Sequence, residues 1–130
     1  MLTLVSCMCP NLDSFYQGLA ARLSERLERD VRFVGDRAWG GRLEMLRTGG
    51  ASLGSVCGLQ YVNEVDSGRA GLVPLAAPAP AGERYGGRPV YFTEMLVAAG
   101  SGLSSFESLA GARWAYNEPT SHSGFGVVGY

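Results

Sequence analysis

The sequence predicts an α/β fold in which a mostly parallel sheet is flanked by helices. Apolar segments of strand length alternate with segments of helical periodicity through the first half of the chain. The strand-like segments are apolar almost throughout, which is typical of parallel strands covered on both faces. With 130 residues, 46% of them hydrophobic and 18% charged, the chain can bury an ordinary core and is not disordered.

The first strand is predicted at Leu2–Met8, an apolar run that ends at a Pro-Asn turn signal. A helix is predicted next, because apolar residues repeat every four positions from Phe15 to Leu27. Ser14 and Gln17 lie three residues apart near its start, a spacing that indicates a capping box.

Two further strand–helix pairs are predicted after this helix. In chain order they are a strand at Val31–Asp36, a helix at Ala38–Arg47, a strand at Ala51–Cys57 and a short helix that opens at Gly58. Gly49-Gly50 ends the second helix as glycines commonly do. The order β-α-β-α-β is that of a parallel sheet with crossover helices.

Beyond the third helix the pattern is less regular. Three further strands are predicted from apolar runs, at residues 71–77, Val90–Ala99 and Arg113–Asn117. Ser104 and Glu107 indicate a second capping box, and a last helix is predicted from Gly124 onward. The Pro- and Gly-rich residues 77–89 predict a loop.

Composition excludes several kinds of partner and cofactor. The formal net charge is −1, so no overall field favours nucleic acid or an anionic membrane surface. The sequence contains no run of about 18 apolar residues, so it predicts no membrane-spanning helix. Cys7, Cys9 and Cys57 are predicted to be buried structural thiols, and the single histidine, His122, lies far from them in sequence. We therefore expect no metal site and no cofactor.

A cluster of small hydroxyl residues, Thr120–Gly124, lies between a predicted strand and the predicted last helix. The first amide groups of a helix lack partners and carry partial positive charge, so small residues there let an oxyanion approach. The same residue types also serve as ordinary helix caps, and both interpretations stay open. His122 lies between two serines, but adjacent loop residues rarely aim at one another, which favours a local hydrogen bond or a ligand contact over a nucleophilic pair.

Three segments together carry a resemblance to a known family: "GSVCGLQYVNE" (Gly54–Glu64), "RPVYFTEMLVAAGSGLSS" (88–105) and "SFESLAGARWAYNEPTSHSGFG" (Ser105–Gly126). With the order of elements, they make the chain similar to the substrate-binding proteins of phosphate, phosphonate and phosphite ABC importers, which have the type II periplasmic-binding-protein fold. The resemblance implies reversible capture of a small phosphorus oxyanion without catalysis. It also implies a membrane permease as partner and a monomeric protein.

The family layout implies two α/β lobes with the ligand in the cleft. Residues 1–96 would form most of a first lobe, and residues 97–130 a crossing segment and the beginning of a second. Because family members are roughly twice as long, we expect a truncated chain with weak or absent affinity of its own. The resemblance implies a periplasmic or cell-surface location, but no signal peptide is visible, which leaves a cytoplasmic location open.

Six residues match family positions that contact the ligand: Asn11, Tyr61, Thr120, Ser121, His122 and Ser123. The last four correspond to the hydroxyl-rich helix start that holds the oxyanion. The "CGLQY" segment departs from the commoner polar-Pro-Tyr version of its turn, so phosphate, phosphite, phosphonate and sulfonate all remain candidate ligands.

Two other functions stay open on the same fold. One is a cytoplasmic biosynthetic enzyme that uses Cys9 or His122, and the other is a ligand-sensing module. Substitution of each residue, with both binding and turnover measured, would separate the enzyme from a binding protein.

Overall fold

The computed structural model describes residues 1–116 and 121–127 of the chain. The chain divides into two compact units, Met1–Val73 and a second that starts at Pro74. The two predicted lobes, residues 1–96 and 97–130, stay a prediction.

Three strands and three helices alternate through the first unit, which confirms the predicted α/β class. In chain order they are β1 (Leu2–Ser6), α1 (Asp13–Leu27), β2 (Val31–Phe33), α2 (Trp39–Arg47), β3 (Leu53–Ser55) and α3 (Gly58–Asp66). All strand pairs are parallel, in the order β2-β1-β3. The strands are shorter than predicted, because the apolar runs continue past the last ladder residues into the connecting loops.

The central strand β1 alternates its side chains between two cores, one on each face of the sheet. Leu4 packs with Ala20 of α1 and Val31 of β2. Val5, the next residue, packs with Leu43 and Leu46 of α2. Both faces are therefore covered by helices, which explains why β1 is apolar on both sides.

The start of α1 differs from the sequence prediction. The helix begins at Asp13, and the residue before it, Leu12, makes no side-chain capping bond, so the predicted capping box of Ser14 and Gln17 is wrong. The Asp13 carboxylate instead accepts two hydrogen bonds from the guanidinium of Arg42. Its negative charge also lies at the favourable end of the α1 dipole.

Arg42 of α2 is a buried cation, 5% exposed, and each of its N–H groups has an acceptor. Nε donates to the Arg37 carbonyl at 2.8 Å, and Nη1 donates to the Ser6 carbonyl at 3.1 Å and to Asp13 Oδ1 at 2.8 Å. Nη2 donates to Asp13 Oδ2 at 2.7 Å and to the Gly35 carbonyl. One side chain thus joins the end of β1, the start of α1 and the loop that follows β2.

A second ion-pair network joins α2 to α3. The Glu64 side chain is fully buried and accepts hydrogen bonds from Arg47 Nε at 2.7 Å, Arg47 Nη2 at 2.8 Å and Gln60 Nε2 at 2.6 Å. Arg69 lies 3.6 Å from the same carboxylate. The hydrogen bonds from Arg47 lower the pKa of Glu64 and outweigh burial, which raises it.

The described residues of the second unit form short helical turns and no strand. The turns are two 3₁₀ helices, Glu83–Tyr85 and Glu107–Leu109, and a five-residue π-helix, His122–Gly126. The strands predicted at residues 71–77 and Val90–Ala99 do not form, residues 113–116 are irregular, and Asn117 lies outside the described residues. An apolar, β-prone sequence becomes a strand only where a neighbouring strand pairs with it.

The second predicted capping box, Ser104 with Glu107, is also wrong. Ser105 and Ser108 bond reciprocally instead: the Ser105 amide donates to the Ser108 hydroxyl at 3.2 Å, and the Ser108 amide donates to the Ser105 hydroxyl at 3.3 Å. Among the described residues, no helix has the length and apolar character needed to cross a bilayer.

We expect Arg42→Lys to lower the free energy of unfolding by about 3 kcal/mol, because a lysine ammonium cannot bond all the acceptors that the guanidinium reaches. Urea unfolding measures the loss. Arg22→Lys is the matched control, since Arg22 pairs with Glu25 at 3.0 Å on the exposed face of α1 and its replacement costs below about 0.5 kcal/mol. Equal losses in the two variants would contradict this role of Arg42.

We expect the stabilisation from Glu64 to depend on pH. Because the folded-state pKa is lowered, the ion pair contributes fully above the pKa of an unfolded glutamate, about 4.3, and is lost as the pH falls through the folded-state value. The Tm difference between the native protein and Glu64→Gln should therefore be largest at neutral pH and should shrink towards zero in acid. Thermal unfolding between pH 7 and pH 3 tests this, with Glu25→Gln as an exposed control; a difference that does not vary with pH would refute it.

Candidate functional site

The carboxyl edge of the sheet carries two of the predicted site residues. β1 and β3 are adjacent and parallel, and their last residues, Ser6 and Ser55, are register partners. Asn11 lies in the loop after β1, and Tyr61 lies in α3, which follows β3. The topology therefore brings Asn11 and Tyr61 to the edge where parallel sheets bind their ligands.

Asn11 lies in a short 3₁₀ turn, Pro10–Leu12, and its side chain is exposed. Its Oδ1 accepts a hydrogen bond from the Cys9 thiol, and the Leu12 amide donates to the Cys9 carbonyl at 3.0 Å. The Asn11 side chain thus stabilises its own turn, and its amide nitrogen donates to no acceptor among the described residues.

Tyr61 lies in α3, and its ring is half-buried. Its amide donates to the Cys57 carbonyl at 2.9 Å, which places the residue within the first turns of the helix. In the part of the chain that the structure describes, its hydroxyl has no hydrogen-bond partner. The hydroxyl is therefore available to a ligand at this edge.

Three residues with hydroxyl groups at the same edge were not singled out from the sequence, and two of them bond to each other. The Tyr16 hydroxyl and Ser55 Oγ lie 2.7 Å apart, and Ser6 Oγ accepts from the Met8 amide at 3.2 Å. The available signal was a serine at the last position of two strands, in "LTLVS" and "SLGS". Sequence periodicity treats such residues as ordinary strand ends and does not show that they are register partners.

The predicted oxyanion turn begins at Ser121, which is the N-cap of the π-helix. Ser121 Oγ accepts from the Gly124 amide at 3.0 Å, and the Ser121 carbonyl accepts from the amides of Phe125 at 3.0 Å and Gly126 at 3.1 Å. The capping interpretation of Ser121 is thus confirmed. The last helix starts at His122, two residues before the predicted position, and is a single π-helical turn.

The other predicted residues of this turn differ in exposure. His122 is exposed and Ser123 is half-buried. Among residues 1–116 and 121–127, no hydrogen bond joins the His122 side chain to either neighbouring serine hydroxyl. Thr120, the remaining residue of the predicted cluster, lies outside the described residues.

Three aromatic rings pack around this turn and were not singled out from the sequence. Phe125 of the π-helix stacks on Trp114, with ring centres 5.9 Å apart and planes 8° from parallel. Tyr116 contacts both rings, at 4.8 Å from Phe125 and 5.6 Å from Trp114. The separation of two residues between Trp114 and Tyr116 was the available signal, because alternate residues of an extended segment share a face.

The three cysteines differ in environment, and the expectation that all are buried is wrong for Cys9. Cys7 is buried, Cys57 is half-buried, and Cys9 is exposed because β1 ends before it. Burial raises the pKa of Cys7 to about 11. The Cys7 carbonyl accepts from Trp39 Nε1 at 2.8 Å, so this residue is also anchored through its backbone.

An open pocket of about 250 Å³ lies within the second unit. Its walls are mostly apolar and are formed by Met95, Val97, Leu103, Ser104, Ser105, Phe106 and Leu109. None of the predicted ligand residues lines this pocket. Within the described residues, no group of three or more His, Cys, Asp or Glu side chains is arranged to hold a metal ion.

A family model described as "ABC transporter, phosphonate, periplasmic substrate-binding protein" matches residues 10–130. Neither the curated proteins nor the solved structures contain a match to this chain.

We expect thiol-directed alkylation of the folded protein to modify Cys9 first. Cys9 is exposed, whereas burial and the raised pKa protect the Cys7 thiol. Iodoacetamide labelling at pH 8, followed by peptide mass spectrometry, measures the order, and labelling in urea supplies the control in which all three react. Modification of Cys7 as fast as Cys9 in the folded protein would contradict the described end of β1.

Proposed function

The chain belongs to the periplasmic substrate-binding proteins of phosphonate ABC transporters, and we propose that it captures a small phosphorus oxyanion for delivery to a membrane permease. The observation that carries the proposal is the family match, which extends over residues 10–130. This family has a substrate-binding role rather than an enzymatic one. The match therefore favours reversible binding over the alternative enzyme based on Cys9 or His122.

The oxyanion is proposed to bind at the turn that contains Ser121, His122 and Ser123, with Thr120 as a further contact. The Gly124 amide is already bonded to Ser121 Oγ. The remaining donors at the start of this turn are the amides of His122 and Ser123 and the hydroxyl protons of Ser121 and Ser123. These groups are close together in sequence and suit the several oxygens of a tetrahedral anion.

The strength of such a site comes from individual hydrogen bonds. A single π-helical turn has few aligned peptide dipoles, so its terminal charge is smaller than that of a long helix. Each hydrogen bond to a charged oxygen contributes about 1.5–3 kcal/mol. Three or four such bonds contribute about 4.5–12 kcal/mol, from which the entropy cost of association is subtracted.

Asn11 and Tyr61 are proposed as the ligand contacts of the first unit. Both lie at the carboxyl edge of the sheet. Within the described residues, each has a donor without an acceptor, the Asn11 amide nitrogen and the Tyr61 hydroxyl. We further propose that the protein works in the periplasm or at the cell surface, as a monomer, with the permease as its macromolecular partner. Phosphonate, phosphite and phosphate are the candidate ligands.

We expect the full-length protein, of which this chain is predicted to be a part, to bind at least one phosphorus oxyanion. Thermal shift and calorimetry with methylphosphonate, phosphite and inorganic phosphate provide the test, and sulfate serves as the comparison anion. Ligand at 100 times its Kd should stabilise the protein by about 2.7 kcal/mol, which raises Tm by several degrees. Stabilisation by another ligand class, with none by the three phosphorus compounds, would overturn the proposed function.

We expect Ser123→Ala to raise the Kd about tenfold or more, because it removes a donor to a charged oxygen. The Tm without ligand should hardly change. Ser121→Ala should raise the Kd and also lower Tm, since Ser121 caps the turn. Ser108→Ala, which removes an exposed hydroxyl that bonds to Ser105, is the control and should bind normally; a Ser123→Ala protein that binds as well as this control would argue against the assigned turn.

A further inference from the structure

We propose that the Ser55 hydroxyl is an additional ligand contact of the first unit and that the Tyr16 hydroxyl orients it. This inference rests on the proposed function, because the ligand is the same phosphorus oxyanion. Ser55 would join Asn11 and Tyr61 as a ligand contact. Unlike them, it lies on a strand of the sheet rather than in a loop or helix.

The position of Ser55 fits this role. Ser55 is the last residue of β3, and its register partner Ser6 is the last residue of β1. α3, the helix that contains Tyr61, begins at Gly58, just beyond Ser55. Ser55 therefore lies at the carboxyl edge of the sheet, next to the element that supplies a proposed ligand contact.

The hydroxyl groups of Tyr16 and Ser55 have one more proton than their mutual hydrogen bond uses. Tyr16 and Ser55 contribute one hydroxyl proton each, and their hydrogen bond of 2.7 Å uses one of the two. Within the described residues, no acceptor is within hydrogen-bond distance of the second proton. If Tyr16 donates to Ser55 Oγ, the Ser55 proton is free to bond an anion oxygen, and the two bonds strengthen each other.

Burial determines which hydroxyl can face the ligand. Tyr16 is 8% exposed, and its ring is fixed by Phe33, which stacks at 6.1 Å, and by Phe15, which contacts it edge-on at 5.2 Å. Ser55 is only half-buried. Tyr16 is thus the fixed, interior member and serves as a positioning residue, whereas Ser55 is the member that an anion can reach.

Ser24 of α1 shows how a purely structural hydroxyl differs. Its Oγ donates to the Ala20 carbonyl at 3.0 Å and lies 3.2 Å from the Val31 carbonyl, and it accepts from the Val31 amide at 2.9 Å. Its proton and one of its lone pairs are both used within the protein. Ser24 lies beside the start of β2, away from the carboxyl edge, which makes Ser24→Ala a matched control for Ser55→Ala.

The experiment is calorimetric titration of the intact protein with methylphosphonate and, separately, with inorganic phosphate. We expect Ser55→Ala to raise the Kd about tenfold to a hundredfold, as the loss of a hydrogen bond to a charged oxygen does. Tyr16→Phe keeps the ring and should raise the Kd about threefold to tenfold, while Ser55→Thr, which keeps a hydroxyl, should restore binding. Ser24→Ala should lower Tm and leave the Kd unchanged.

The outcomes separate this inference from the proposed function. If the native protein binds either probe and Ser55→Ala binds as tightly, the hydroxyl pair is structural and the inference is overturned. Should Ser55→Ala fail to fold, Tyr16→Phe decides: an unchanged Kd refutes the inference and a raised Kd supports it. A native protein that binds neither of these probes and no phosphite refutes the proposed function and this inference together.

Discussion

The carboxyl edge of the sheet depends on one buried guanidinium. Burying a cation costs several kcal/mol unless each of its donors finds an acceptor, and Arg42 meets this condition only when β1, α1 and the loop after β2 all lie in their observed positions. A shift of any one segment would leave a buried charge incompletely bonded. The loop that contains Asn11 lies between two of these fixed points, the Ser6 carbonyl and the Asp13 carboxylate, so it is held in place without a ligand. Such preorganisation lowers the entropy cost of binding.

Two arginines of the first unit are committed to ion pairs that hold the fold together. Arg42 is paired with Asp13, and Arg47 with Glu64. The groups proposed for oxyanion binding are neutral donors: hydroxyls, a side-chain amide and backbone N–H groups. Recognition by neutral donors depends on the number and direction of hydrogen bonds more than on net charge. It therefore suits a transport protein, which has to select one tetrahedral anion and later release it.

The sequence predicted the order and type of the elements in the first unit because hydrophobic periodicity reports burial directly. It did not predict the polar contacts. Trp39, Arg42, Leu43 and Leu46 have the spacing of one helix face, so Arg42 could have been recognised as buried, but its partner Asp13 follows only from the folded chain. The Tyr16–Ser55 pair joins residues 39 positions apart and has no local signature. The strands predicted beyond the third helix failed for a related reason, since apolar character cannot specify a pairing partner.

The chain has two tryptophans, and each unit contains one of them. Trp39 is anchored by its indole nitrogen to the backbone at the end of β1, whereas Trp114 is stacked face to face on Phe125 beside the Ser121 turn. Indole emission responds to hydrogen bonding and to ring stacking, so the two residues are intrinsic fluorophores in different surroundings. Replacing either one with phenylalanine would leave a single optical reporter, through which the folding and ligand response of each half could be followed separately.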